Sequence, residues 1–259
     1  MKIYILADME GISGIRMIEQ VQRDSAEYLP ACKLMMDDLN VAIDAAFEAG
    51  ATQVVACDTH SGGGQVKVDE MDPRATYETP NAGLMMPSLD ESFAGLVLLG
   101  HHARAGTLNG FLDHTMSSAS WFEFRINDLA VGEIGIEAAY AAQFGVPVIA
   151  VTGDEAAAAE ARALLRDVEC AIVKTGIGRN RACCVSIPEA HKRVREAISK
   201  SVSDTRRFSP WKPEMPATIE LTVYRSDMAD LHEGRPGIKR VGPRTLRAQI
   251  TTLKDIRML

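Results

Sequence analysis

The sequence predicts an α/β fold: a mainly parallel sheet with helices on both faces, followed by a smaller strand-rich C-terminal portion. Two observations carry this expectation. As far as about residue 204, short apolar runs alternate with helical stretches, the pattern of parallel βαβ units. Beyond Pro210, Pro213 and Pro216 the runs instead alternate or mix β-branched with polar residues.

Taken in order, residues 3–7 form the first apolar run. A helical pattern covers residues 30–49, with Pro30 suited to a first turn and Gly50 to a stop. Residues 54–57 are the second strand. Residues 96–99 are the third, uninterrupted in apolar character as in a strand buried on both faces. A helix over 136–144 leads to a strand over 146–151, and the Ala-rich residues 155–165 favour a helix. Residues 171–173 give a further strand and 188–202 a further helix. Strands over 217–224 and 246–252 close the chain. This reading divides the protein into an α/β unit of residues 1–204 and a strand-rich unit of residues 205–259 packed on it.

Composition narrows the function. A chain of 259 residues buries a full core without staples. Its net charge of −7 argues against nucleic-acid and anionic-membrane partners, which both reward clustered Lys and Arg. The longest basic cluster, Lys192, Arg193 and Arg195, reads as a solvated helix face. Five cysteines without a Cys-x-x-Cys pair support neither a disulfide framework nor a thiolate zinc site. The N-terminal apolar run is too short for a signal-peptide core and no stretch approaches a membrane span, so a cytoplasmic protein is expected.

The chemistry lies where strands end. The first strand runs into Asp8 and Glu10, the second into Asp58 and His60, and the third into Gly100, His101 and His102. Sites in parallel α/β sheets gather outside the carboxyl ends of strands. Asp8 and Glu10 are two apart, so in extended chain both carboxylates face one side, whereas the adjacent His101 and His102 point opposite ways and at most one reaches the same site. Gly62, Gly63 and Gly64 follow His60 without the lysine and helix start of a phosphate cradle. Glu133 follows a turn at Asn127 and Asp128 and stands where a helix begins. Together these are O and N donors without thiolate, suited to zinc, manganese or similar divalent ions. A pair of such ions can activate water and clamp the oxyanion of an amide. The ligand chemistry alone also admits a phosphoesterase, a hydrolase of a non-peptide amide, or a binding module without turnover; the lack of a basic clamp near the motifs disfavours the first.

These residues stand in blocks that resemble the zinc-dependent D-aminopeptidase family. The blocks are Asp8-Met9-Glu10-Gly11, Asp58-Thr59-His60-Ser61, Leu99-Gly100-His101-His102-Ala103, His114-Thr115-Met116 and Val131-Gly132-Glu133-Ile134-Gly135. The resemblance implies two zinc ions per chain, with Asp8 bridging them and Glu10, His60, His102 and Glu133 completing their shells. It implies that His102, not His101, is the ligand, and that His114 is catalytic. It further implies a doubly wound α/β core, small peptide substrates and a ring-shaped homo-oligomer, a decamer, around an enclosed chamber. The Met-rich residues 83–87 are a candidate subunit contact, with a place in the core as the alternative.

Overall fold

The computed structural model describes residues 1–80 and 84–259. The first strands are β1 (Lys2–Ala7), β2 (Gln53–Asp58), β3 (Thr76–Glu78), β4 (Phe93–His101), β5 (Trp121–Ile126) and β6 (Leu129–Val131). The later ones are β7 (Val148–Asp154), β8 (Glu169–Gly178), β9 (Arg181–Cys184), β10 (Ala217–Val223), β11 (Ile238–Arg240) and β12 (Thr245–Ile250). The helices are α1 (Tyr28–Glu48), α2 (Glu133–Ala142), α3 (Glu155–Leu165), α4 (Ile187–Ser203) and the short α5 (Ser226–Asp230).

A seven-stranded sheet runs β3-β2-β1-β4-β7-β8-β9, parallel throughout except for β9, which returns antiparallel on β8. From β1 the chain moves outward to β2 and β3, then crosses to β4 on the other side of β1. The strand order therefore reverses between β1 and β4, and in open α/β sheets ligands bind at the carboxyl ends beside such a reversal. Asp8 and His102 immediately follow those two strands.

The alternation of side chains along each strand divides the core into two layers. Ile3 and Ile5 of β1, with Val97 and Leu99 of β4, pack under α1 and α4. Tyr4, Leu6, Leu96 and Leu98 face the other layer, which holds α2, α3 and the second sheet. Leu96 to Leu99 are all fully buried, each worth about 1.5–3 kcal/mol of burial. Helix ends follow local chemistry: Gly50 with φ +102° stops α1, and the Asp154 side chain accepts from the Ala157 N–H to cap α3.

The second sheet is antiparallel, in the order β11-β12-β10-β5-β6. Its strands come from both sides of residue 204: β10 pairs with β5 as well as with β12. The strand-rich region beyond residue 205 thus completes a sheet begun by residues 121–131, and it shares one hydrophobic layer with β1 and β4. Met85 and Met86 are buried in that layer, which favours the core alternative for their segment; Gly83 lies outside the described residues. Among the described residues no helix is long and apolar enough to cross a membrane.

Candidate metal centre

Backbone contacts bring the strand ends together. The N–H of Asp8 donates to Leu99 O at 2.8 Å and that of Gly11 to Gly100 O at 2.7 Å. The buried Lys174 donates to the carbonyls of Glu10 at 2.7 Å and Ile12 at 2.6 Å, fixing the turn that carries Glu10. Burial drives the Lys174 pKa down to about 8. His60 sits in a short turn after β2. There the Asp58 carboxylate accepts from the N–H groups of His60, Gln65 and Val66 at 3.2, 2.7 and 3.3 Å. Burial pushes Asp58 up to about 6 in spite of those donors. Glu133 opens α2, where the helix dipole favours an acid, and accepts from the Met116 N–H at 2.8 Å.

His114 is presented by a loop held at several points. The Phe111 N–H donates to Asp154, the Leu112 N–H to Arg179 O, and the His114 N–H to Ala103 O. Leu112 and Met116 adopt left-handed backbone conformations that such residues take only when their surroundings enforce them.

All six residues singled out in the sequence meet, as two clusters joined by Asp8. Asp8 Oδ1 lies 3.3 Å from His60 Nδ1, and Glu10 Oε2 lies 3.1 Å from the same nitrogen. Asp8 Oδ2 lies 3.4 Å from His102 Nε2, with Glu133 Oε1 at 3.3 Å from that nitrogen and 3.5 Å from His114 Nε2. The rings of His102 and His114 stack at 4.0 Å. Asp8, Glu10 and His60 could hold one cation; His102, His114 and Glu133 could hold another.

The imidazoles share one arrangement. His60 Nε2 meets Val21 O at 3.2 Å, His102 Nδ1 meets Ala103 O at 3.0 Å, and His114 Nδ1 meets Leu112 O at 2.8 Å. A backbone carbonyl accepts only from an N–H, so the hydrogen-bond network assigns the proton to the outer nitrogen of each ring. The inner nitrogen then turns a lone pair toward the carboxylates. This is how a ligating histidine is held. His102 Nε2 is buried and makes no hydrogen bond, so a cation would satisfy it. Protein charges alone would place a proton there instead. Burial resists a charge on His60, yet Glu10 and Asp8 outweigh it and push its pKa up to about 12. Glu133 falls to about 2, its burial outweighed by His102. A bound dication takes the place of such protons.

His101 faces away from the clusters. Its Nε2 lies 2.6 Å from Glu137 Oε2, and both side chains are buried. Glu137 was not singled out in the sequence, although it stands four residues after Glu133 and so on the same face of α2. Lys174 supports the Glu10 turn from far along the chain, whereas Asp58 holds residues only two to eight positions after it. A cavity of about 650 Å³ opens on the clusters, lined by Asp8, Glu10, His60, His114, Glu133 and Glu137 among others.

A parallel α/β sheet whose reversal point gathers O- and N-donor clusters beside an open cavity defines a metal-dependent hydrolase as the class to which this chain should be compared. The chain belongs to the D-aminopeptidase family, whose model matches residues 1–259. A D-aminopeptidase of Bacillus subtilis (strain 168) is 34% identical over 239 residues, 90% of this chain and 86% of that protein. The solved structure of the Zn-dependent D-aminopeptidase DppA from Bacillus subtilis, described as a self-compartmentalizing protease, superimposes with a TM-score of 0.94 at 30% identity. The match covers 99% of this chain and 94% of that one.

Proposed function

We propose that the protein is a zinc-dependent aminopeptidase that releases N-terminal residues, D-configured ones in particular, from short peptides in the cytoplasm. The observation that carries this reading is the shared arrangement of the imidazoles, each with its outer N–H on a backbone carbonyl and its inner nitrogen turned to a carboxylate. Membership of the D-aminopeptidase family selects the amide bond over other substrates of such a site.

In this reading Glu10 and His60 would hold one zinc and His102 and Glu133 a second, with Asp8 shared between the two sites. Two such ions supply an activated water and a clamp for developing negative charge. The chain's residues do the rest. Asp8, Glu10 and Glu133 offset the ionic charge, and Asp58 and Lys174 hold the loops that carry the ligands. His114, the most exposed of the three imidazoles at the clusters at 15% of its side chain, takes a proton at Nε2 and returns it to the departing amine. Its Nδ1–H stays on Leu112 O throughout. Subunits assemble into a ring in which the cavity faces an enclosed chamber; the likeness to DppA, a self-compartmentalizing protease, supports the enclosure.

Metal analysis joined to a panel of D- and L-dipeptides tests this. Purified protein should carry about two zinc ions per chain, cleave dipeptides with a D-residue first, and lose turnover to a chelator. Full hydrolysis by metal-free protein would refute the mechanism, and turnover of a phosphate ester with none of any dipeptide would refute the reaction.

A further inference from the structure

Four carboxylates line the cavity: Asp8, Glu10, Glu133 and Glu137. The first three belong to the two cation clusters, and Glu137 to neither. It is 2% exposed, and every other residue of α2 is also buried. Burying an acid in such a helix is costly, and an apolar pair in place of a buried ion pair often stabilises a fold. Stability therefore gives no reason for the pair Glu137 and His101. Its geometry does. His101 Nε2 fixes Oε2 at 2.6 Å, and the carboxylate stands on the cavity wall one helical turn from Glu133. Four residues of helix rise about 6 Å; the roughly 2.5 Å from a residue's amine to its carbonyl carbon and a hydrogen bond of about 2.8 Å together span most of it, so a peptide with its scissile carbonyl at the clusters can reach Glu137 with its own amine.

We propose that Glu137 binds the α-ammonium of the substrate's N-terminal residue, with His101 as the positioning residue that holds the carboxylate in place. The inference rests on the aminopeptidase reading and deepens it, by naming what distinguishes a free N-terminus from an internal peptide bond. A buried acceptor left without its donor rejects ligands that lack the amine. The adjacent histidines then share one task from opposite sides of the strand: His102 faces the cation cluster, and His101 orients the group that reads the amine.

The test compares two zinc-binding inhibitors that differ only in the amine, alanine hydroxamate and propionohydroxamate, on the metal-loaded wild type and on Glu137→Gln. A hydrogen bond to a charged group is worth about ten- to a hundredfold in affinity. The wild type should prefer the amine-bearing inhibitor by that factor. Glu137→Gln should reduce the preference to a few-fold while keeping its metal content and its affinity for propionohydroxamate. A purely structural role would weaken both inhibitors alike or neither, and an undiminished preference in the variant overturns the assignment. Wild-type crystals with alanine hydroxamate give a second measurement should the variant not fold. The amine within hydrogen-bond distance of Glu137 supports the proposal, and the amine seated elsewhere overturns it. Wild type that cleaves no peptide would instead count against the aminopeptidase reading itself.

Discussion

Replacing Gly11 by Ala attacks the place where β1 and β4 deliver their ligands. An added Cβ would stand 2.2 Å from the His101 carbonyl oxygen and 2.4 Å from the Gly100 carbonyl carbon. Both neighbours are backbone, so no side chain can swing aside, and reaching ordinary contact requires the strand exits to part by about 1 Å. Overpacking of this kind costs about 1–3 kcal/mol of stability. The larger effect falls on the site. Parting the exits moves Asp8 and Glu10 away from His102, while metal sites tolerate only about 0.2 Å of ligand displacement and a misplacement of about 1 Å costs about a hundredfold in rate. Gly11→Ala should therefore bind zinc weakly and lose about a hundredfold or more in dipeptide turnover, while remaining folded. Gly50→Ala is the control. It meets no atom within 4 Å but has φ +102°, so it should lose about 1–2 kcal/mol of stability and no metal. Bound zinc per chain, thermal melting and turnover are measured on both. Full metal occupancy in Gly11→Ala, or equal metal loss in Gly50→Ala, would refute the reasoning.

His102→Ala should lose most of its bound metal and His101→Ala much less, because only His102 turns toward Asp8 and Glu133; the reverse order by elemental analysis would overturn the ligand set. His114→Ala should keep its fold and most of its zinc and lose about a hundredfold in turnover, whereas loss of metal would make His114 a ligand. His191 on α4 stands 3.2 Å from the buried Asp38, and that neighbouring carboxylate raises its pKa above the ordinary 6.5 although burial opposes it. The folded value lies above the unfolded one, so the stabilisation is fully present below about pH 6.5 and is lost as pH rises through the folded value. In urea titrations the stability gap between wild type and His191→Gln should shrink with rising pH; a gap that widens contradicts the assignment.

The parallel sheet was legible because its strands are short apolar runs between helices with clear stops. Residues 155–165 are a helix with the expected bounds, and the structure adds one residue to β1 and two to β2 but more than doubles β4, from 96–99 to Phe93–His101. The second sheet was legible only at its C-terminal end. β5 reads Trp-Phe-Glu-Phe-Arg-Ile, with Phe124 and Ile126 buried, but it follows a polar loop and its partner β10 lies far along the chain. The signal that could have found it is the turn itself. Asn127 and Asp128 both have positive φ, as the two central residues of a type I′ hairpin turn require, and the strands flanking them pair. At the site, the residue types suited to a metal ion stood at strand ends and could be read there. Glu137 could not, since its meaning depends on a contact with His101 that only folding creates.

The opposed directions of His101 and His102 have a bearing on which insertions and deletions this lineage can accept. One residue added within β4 would turn both side chains over at once, sending His101 toward the clusters and His102 into the helix layer. It would damage the cation site and the support of α2 in a single step, and no one point substitution would repair both. The loop after His60 has the opposite character. Added Cβ atoms at Gly62 and Gly64 meet nothing within 4 Å, although both glycines have positive φ. Length changes should therefore be absent from Phe93–His101, and after His60 they should be confined to Gly62 and Gly64, because a Cβ at Gly63 would stand 2.8 Å from Asp58 O.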